Sequence, residues 1–139
     1  MILDIKDLSV VYQTEMEVVH AVNSISLSME QGETLGLVGE TGAGKTTTAL
    51  ALMGLLPERT AKVTKGSIWF DGTDLLSLSE RELQRVRGDK ISMIFQDPMT
   101  ALNPVLTVGD QIAEALLLHN VEGHSRKEIE ARVEETLEL

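Results

Sequence analysis

The chain has 139 residues, enough for one domain with a buried core, and its hydrophobic fraction of 42% is that of an ordinary globular protein. Its formal net charge of −10 argues against a nucleic-acid partner, because phosphate backbones bind basic surfaces. The sequence contains no cysteine, no long apolar run and no charged-then-apolar leader, so we expect no disulfide, no membrane span and no secretion signal, as in a cytosolic protein.

The N-terminal residues predict two strands that pair antiparallel. Residues 2–11 mix alternation with apolar pairs, and residues 18–29 alternate apolar and polar side chains. The polar residues 13–17 between them predict a turn. Residues 31–33, Gln-Gly-Glu, predict a second turn that leads into the next element.

The next stretch predicts a strand, a glycine-rich loop and a helix in succession. Residues 34–38 are mostly apolar and predict a buried strand, whereas residues 45–56 are rich in Ala, Leu and Met and predict a helix that Pro57 stops. Residues 39–47 fit the pattern G-x-x-x-x-G-K-[ST], the phosphate-binding loop of P-loop nucleotidases. A chance glycine-rich turn is the alternative, and the flanking strand and helix argue against it.

The chemistry of this loop explains its residue types. Gly39, Gly42 and Gly44 have no Cβ, so the backbone can approach phosphate oxygens and can take positive φ. The loop opens a helix whose first N–H groups lack partners and whose dipole favours negative charge. Lys45 adds a positive charge for the β- and γ-phosphates.

The remaining loop residues complete the predicted nucleotide site. The hydroxyl of Thr46 can ligate Mg²⁺, and Thr47 is expected to contact the α-phosphate side. The other loop positions assigned to nucleotide binding are Glu40, Thr41 and Ala43.

Shorter elements follow Pro57. Residues 58–65 predict a polar connection, residues 67–70 a short strand, and the pair at 71–72, Asp-Gly, a turn. Residues 79–82 have the spacing of a capping box and predict a short helix that Gly88 ends.

The last part of the chain predicts one more strand and two helices. Residues 91–95 are predominantly apolar and predict a second buried parallel strand. Residues 107–110 predict the start of a helix that runs to about Leu118, and residues 125–128 form another capping box. The following helix carries one apolar face, formed by Ile129, Val133 and Leu137.

Together these elements predict an α/β fold whose sheet begins antiparallel and continues with buried strands separated by helices. The last helix reaches Leu139 without a cap, glycine or proline. We therefore expect the sequence to be part of a longer protein and its sheet to be incomplete.

The loop motif by itself leaves GTPases, kinases, helicases and transporter ATPases open. If Asp97 were a metal-binding aspartate at the end of the 91–95 strand, the chain would be a small kinase or GTPase. Against this, Gln96 separates the strand from Asp97, the residue directly after Asp97 is not acidic, and Pro98 ends the strand. The guanine-specific N-K-x-D motif is also absent from the sequence. A non-catalytic nucleotide-binding module is a third hypothesis.

The sequence resembles the ATP-binding subunits of ABC transporters, and more narrowly the group that imports oligopeptides, dipeptides and nickel. The resemblance depends on the loop at 39–47, the block FQDPMTALNP at 95–104 and TVGDQI at 107–112. It implies a RecA-like P-loop core with an N-terminal antiparallel β subdomain. Residues 1–98 would form that subdomain and the core, and residues 99–139 would begin the helical subdomain.

The resemblance also implies roles for particular residues. Gln96 corresponds to the Q-loop glutamine, which reaches the Mg²⁺ shell and the γ-phosphate side while the loop behind it touches the membrane subunit. An amide suits this role because it can coordinate through oxygen and donate through nitrogen. Tyr12 matches the family's adenine-stacking aromatic residue. Lys45 and Gln96 would be the catalytic residues, and Thr46 and Gln96 the metal ligands.

The implied cofactors are ATP and Mg²⁺, and the implied partners are permease subunits, a second ATPase subunit and, indirectly, a substrate-binding protein. Such a subunit lies at the cytoplasmic face of the membrane. The family's LSGGQ-type signature, its second apolar strand ending in Asp-Glu and its switch histidine are absent from the sequence. We therefore expect these 139 residues alone to bind Mg-ATP weakly and to hydrolyse it only at background rate.

Overall fold

The computed structural model describes residues 1–97, 101–119 and 123–138. Residues 98–100, which belong to the block at 95–104, and the last residue, Leu139, lie outside the described residues. The chain divides into two compact units, Met1–Gln84 and Arg85–Leu139.

The first unit contains a four-stranded antiparallel sheet with the strand order β2-β1-β3-β4. The strands are β1 (Leu3–Gln13), β2 (Val18–Met29), β3 (Ala61–Phe70) and β4 (Thr73–Asp74). β1 pairs with β2 on one side and with β3 on the other. The two predicted N-terminal strands and their antiparallel pairing are therefore confirmed.

Both predicted hairpin turns are present. Between β1 and β2 the amide of Thr14 donates to the carbonyl of Glu17 at 2.9 Å, and the Thr14 hydroxyl accepts from the Glu17 amide at 3.1 Å. Between β3 and β4, Asp71 and Gly72 have φ of 48° and 75°. Positive φ at both central residues matches the twist of two antiparallel strands, which explains the Asp-Gly pair.

Bulges interrupt the three long strands. Asp7 in β1, Ser24 in β2 and Gly66 in β3 have φ of 50°, 47° and 102°. A Cβ on Gly66 would lie 2.5 Å from the carbonyl oxygen of Lys6, so only glycine fits there.

The bulge in β1 changes which side chains face the core. Ile5 and Leu8 have opposite parity along the chain, yet both are buried, because the extra residue at Asp7 shifts the alternation. The amide of Asp7, displaced from the ladder, donates to the hydroxyl of Ser26 at 2.9 Å. The Asp7 amide therefore keeps a hydrogen-bond partner, and Ile5 and Leu8 can both face the core.

One helix packs on the buried face of the sheet. Helix α1 (Lys45–Leu52) contacts β1 and β2 and buries Thr48 and Ala51. The core of this unit is formed by buried apolar residues of the sheet, of α1 and of the short 3-10 helix Leu75–Ser77.

The apolar run at 34–38 does not form the predicted buried strand, and that prediction is wrong. None of the strands in the described part of the chain pairs with it. The side chains of Leu35, Leu37 and Val38 are 42%, 49% and 98% exposed. A parallel strand needs neighbouring strands to accept and donate its backbone hydrogen bonds, and the sheet of this unit is wholly antiparallel.

The prediction of a buried strand at 91–95 is wrong for the same reason. Only Ile91 makes a strand-like bridge, to Arg87 four residues earlier. Ile94 is 98% exposed and Phe95 46% exposed. Apolarity indicates what a segment gains by burial, but the partner that buries it has to be supplied by other parts of the fold.

Two element boundaries also differ from the prediction. Helix α1 ends at Leu52 rather than at residue 56, because Gly54 takes φ of 62° and the amide of Leu55 donates to the carbonyl of Leu50 at 2.8 Å. A glycine with positive φ just after the last turn is a common C-terminal cap, so Gly54 rather than Pro57 ends the helix. Strand β3 begins at Ala61 rather than at residue 67. The bulge at Gly66 interrupts the alternation of apolar and polar residues by which a strand is predicted from sequence.

The remaining helices agree with their predicted start signals. They are α2 (Glu80–Val86), α3 (Val108–Leu118) and α4 (Arg126–Glu138). α3 packs on α4, where Ile129 and Val133 are buried. Leu137, predicted to share their face, is 58% exposed. None of the helices in the described part of the chain has the length and apolarity needed to cross a membrane.

The start of α4 is stabilised by a carboxylate. Glu128 accepts hydrogen bonds from the Ser125 hydroxyl and from the Ser125 amide, each at 2.7 Å, and these bonds lower the pKa of the Glu128 carboxyl. Because the folded pKa lies below the unfolded value of about 4.3, the contact stabilises the fold above that pH. The stabilisation is lost as the pH falls through the lowered pKa.

We expect Ser125→Ala to raise the pKa of Glu128 toward its ordinary value, because the hydroxyl that favours the charged carboxylate is removed. An NMR titration of the Glu128 side-chain carboxyl measures this shift. Thr136→Ala, which removes a hydroxyl bonded to the carbonyl of Arg132 elsewhere on α4, is the control and should leave the Glu128 titration unchanged. An identical titration curve in Ser125→Ala would contradict the assignment.

Candidate functional site

The loop that matches the phosphate-binding pattern, residues 39–47, leads directly into α1 and is called the P-loop here. A tight turn opens it, in which the amide of Ala43 donates to the carbonyl of Glu40 at 3.1 Å. Gly42 and Gly44 have φ of 83° and 81°, and Gly44 is the N-cap residue directly before α1. Positive φ at both positions curves the backbone, and glycine adopts it without the steric cost of a Cβ.

The curved backbone leaves a set of amides without acceptors. Within the described residues, no group accepts a hydrogen bond from the N–H groups at the following positions: Gly42, Gly44, Lys45, Thr46 and Thr47. The first amide of α1 with an internal partner is that of Thr48, which donates to the carbonyl of Gly44 at 2.8 Å. Unpartnered amides at a helix N-terminus, together with the helix dipole, are a binding site for an anion.

Lys45 adds a full positive charge to this site. Its Nζ donates to the carbonyl oxygens of Gly39 and Glu40, at 2.6 Å each, so the ammonium bends back over the P-loop. Both acceptors are neutral, and no carboxylate in the described part of the chain forms an ion pair with Lys45. The charge of the ammonium is therefore available to an incoming anion.

Strand β2 packs against the P-loop at Gly44. A Cβ on Gly44 would overlap the carbonyl oxygen of Ala21 and lie 3.2 Å from Cγ2 of Val22. Gly44 is itself buried against that strand. The third P-loop glycine, Gly39, is less confined, since its Cβ would meet the Cβ of Ala43 at 3.2 Å.

A cleft of about 470 Å³ lies beside the P-loop. Its walls are residues 20–23 and 25 of β2, Leu37 and Val38 of the apolar run, and residues 42–45 and 48 of the P-loop and α1. The cleft is lined by P-loop backbone, Lys45 and apolar side chains. It has room for an organic group attached to an anion that is bound at the P-loop.

Thr46 and Thr48, in the first turn of α1, differ in what their hydroxyls do. The hydroxyl of Thr48 is buried and donates to the carbonyl of Gly44 at 2.9 Å, which fixes the first turn of α1. Thr46 is exposed, and its hydroxyl has no hydrogen-bond partner among the residues that the structure describes. An unpartnered hydroxyl beside a candidate anion-binding loop has the chemistry of a Mg²⁺ ligand, because Mg²⁺ takes few protein oxygens and completes its shell with other oxygens.

Tyr12 lies near the end of β1, where it pairs with Val19 of β2 and Ala61 of β3. Its side chain is half-buried. Tyr12 does not line the cleft beside the P-loop, so its contact with a nucleotide base stays a prediction.

Gln96 lies in the second unit, whereas the P-loop lies in the first. Its side chain is exposed at a bend that follows residues 92–95. The predicted contact of Gln96 with Mg²⁺ and the γ-phosphate stays a prediction.

Sequence reasoning missed two features of the site. One is the pair Ala21 and Val22, whose backbone and side chain press on Gly44. The other is Thr48, whose buried hydroxyl holds the start of α1. Neither position differs in residue type from ordinary strand and helix residues, so no local signal distinguishes them.

Comparison with known proteins gives a family match over most of the chain. A family model described as "ABC transporter" matches residues 22–139. The peptide ABC transporter ATP-binding protein y4tR of Sinorhizobium fredii, described as probable, is 50% identical over 119 residues. The dipeptide transport ATP-binding protein DppD of Bacillus subtilis is 52% identical over 118 residues. These matches cover 86% and 85% of this chain but only 36% and 35% of the relatives, so the chain spans about a third of their length.

The fold of the chain is also similar to that of a solved ATP-binding cassette. The ATP-binding cassette MJ0796, in a dimeric post-hydrolysis state bound to ADP and Pi, superposes with a TM-score of 0.83 at 26% identity. The superposition covers 98% of this chain and 56% of that one.

We expect Gly44→Ala to destabilise the first unit by about 2–4 kcal/mol, because it combines strained positive φ with an overlap against the backbone of Ala21. Urea denaturation measures the loss. Gly42→Ala is the matched control: its φ is also positive, but its Cβ would meet nothing within 4 Å. It should cost only about 1–2 kcal/mol. Equal losses in the two variants would show that β2 does not support the P-loop.

Proposed function

The chain belongs to the ABC transporter family, and we propose that its P-loop binds the polyphosphate of ATP together with Mg²⁺. Its fold is the α/β fold of the ATP-binding cassettes, with an antiparallel sheet whose strands come before and after the P-loop helix in the sequence. We further propose that residues 1–98 form the β subdomain and core, and that residues 99–139 begin a helical subdomain.

One observation carries this proposal. The amides of Gly42 and of the residues from Gly44 to Thr47 have no acceptor within the described residues, and the ammonium of Lys45 lies beside them on neutral carbonyls. A polyphosphate supplies several negative oxygens at the spacing that consecutive amides require. A neutral or cationic ligand lacks the negative charge that the N-terminus of α1 and the ammonium of Lys45 favour.

The individual residues have separate tasks in the proposed site. Lys45 would stabilise the charge of the β- and γ-phosphates, and Thr46 together with Gln96 would ligate Mg²⁺. Bound Mg²⁺ would neutralise part of the negative charge of the phosphates. Tyr12 stacks on adenine, which is supported by its half-buried side chain near the end of β1.

At the level of the whole protein, we propose an ATPase subunit that powers the import of peptides or similar small substrates. The printed names of the relatives, which include peptide and dipeptide transport ATP-binding proteins, support this substrate class. The partners would be permease subunits at the cytoplasmic face of the membrane, a second ATPase subunit and, indirectly, a substrate-binding protein. The dimeric state of the MJ0796 cassette supports the ATPase pair.

Hydrolysis requires more than the P-loop, because phosphoryl transfer to water depends on positioned groups around the γ-phosphate. We propose that the 139 residues alone bind nucleotide and turn it over only at background rate, since the LSGGQ-type signature and the acidic strand end are absent from them.

We expect Lys45→Ala to weaken Mg-ATP binding about 10- to 100-fold, because a charge-assisted contact of about 1.5–3 kcal/mol is lost. Isothermal titration of the purified chain with Mg-ATP measures the affinity. Lys62→Ala removes the same charge from an exposed position on β3 and should leave the affinity unchanged. An unchanged affinity of Lys45→Ala for Mg-ATP would show that Lys45 does not contact the nucleotide and would contradict the proposed polyphosphate site.

We expect Gln96→Ala, made in the complete subunit assembled with its permease, to slow transport-coupled hydrolysis about 10-fold, because an orienting amide near the metal is removed. Nucleotide affinity should change little, since the P-loop supplies most of the binding contacts. Peptide uptake into proteoliposomes and phosphate release measure the effect. Uptake at the wild-type rate would mean that Gln96 has no part in coupling.

A further inference from the structure

Strand β2 carries a bulge next to the residues that pack against the P-loop. Leu8 pairs with Ile25, and Val10 pairs with Val22, so β2 uses three residues where β1 uses two. Ser24 lies between these pairs in β2, and its φ of 47° is uncommon for a residue with a Cβ. The extra residue shifts the part of β2 that contacts the P-loop by one position along β1.

The hydroxyl of Ser9 holds this bulge. Ser9 is the single β1 residue between the two flanking pairs, so it lies opposite the bulge. Ser24 has no Cα partner in β1, and its amide therefore needs an acceptor outside the regular ladder. The Ser9 Oγ supplies that acceptor at 3.0 Å. A side chain of the facing strand thus takes the place of a backbone carbonyl.

The bulge lies close to the contact on which the start of α1 depends. A Cβ on Gly44 would overlap the carbonyl oxygen of Ala21. Ala21 has no Cα partner in β1, because the register shifts again at that point, so its place depends on the neighbouring residues of β2. A register without the extra residue at Ser24 would move this carbonyl by about 3.3 Å, the rise of one strand residue.

We propose that Ser9 is a positioning residue of the nucleotide site: its hydroxyl fixes the bulge in β2 and thereby keeps the carbonyl of Ala21 against Gly44. Ser9 is not among the residues that line the cleft beside the P-loop, so it acts through β2 and not on the ligand. The inference rests on the proposed function, because that function supplies the nucleotide whose binding Ser9 assists.

The bulge in β1 provides a matched control. There the amide of Asp7 donates to the hydroxyl of Ser26 at 2.9 Å, which is the same kind of bond with the two strands exchanged. Ser26 is separated from Ala21 by the bulge of β2, so the loss of its hydroxyl should not reach Gly44. Ser9→Ala and Ser26→Ala therefore remove equivalent bonds at different distances from the P-loop.

The test compares Ser9→Ala, Ser9→Thr and Ser26→Ala in the complete ATPase subunit. The first measurement is the NMR chemical shift of the Gly44 amide without nucleotide, in protein isotope-labelled at glycine. We expect Ser9→Ala to change this shift and Ser26→Ala to leave it unchanged. The second is the affinity for Mg-ATP by isothermal titration, which we expect to fall about three- to tenfold in Ser9→Ala alone. Ser9→Thr keeps the hydroxyl and should retain wild-type values of both.

The outcomes separate this inference from the function on which it rests. A wild-type Gly44 amide shift or wild-type affinity in Ser9→Ala would overturn the positioning role and leave the proposed function standing. Equal effects of Ser9→Ala and Ser26→Ala, or an equal loss in Ser9→Thr, would overturn it as well. If the wild-type subunit itself does not bind Mg-ATP, the proposed function fails, and the positioning role fails with it.

Discussion

The site depends on one close contact, between the backbone of Gly44 and the carbonyl of Ala21 in β2. There is no room for a Cβ between them, and Gly44 takes the positive φ that turns the chain into α1. The contact fixes where the helix begins, and the amides that precede its first internal hydrogen bond are left for a ligand. The sheet therefore determines the direction in which the anion site opens.

The charge of the chain makes this local arrangement necessary. With a formal net charge of −10, the protein as a whole repels a polyphosphate. Attraction has to come from short-range groups, namely oriented amides and the ammonium of Lys45. Because Lys45 rests on carbonyl oxygens rather than on a carboxylate, none of its charge is neutralised before the ligand arrives.

Much of the fold could be predicted from local signals in the sequence. The β1–β2 pair, the Asp-Gly turn at 71–72 and the starts of α3 and α4 each follow from alternation, turn residues or capping residues near in sequence. The apolar runs at 34–38 and 91–95 were predicted wrongly because a parallel strand is defined by its neighbours. The predicted end of α1, at residue 56, lies too late because Gly54 with its positive φ ends the helix before Pro57.

The sequence by itself determined the chemistry of the site, since the spacing of Gly39, Gly42, Gly44 and Lys45 allows a curved backbone and places one cation beside it. Only the tertiary structure decided what supports that loop and how the second unit holds the chain before α3. The support of β2 for Gly44 joins residues far apart in sequence, and the two hydrogen bonds between the Gln111 amide and the backbone of Asn103 depend on side-chain geometry. Neither leaves a local pattern, because any strand backbone can offer a carbonyl and any helix can carry a glutamine.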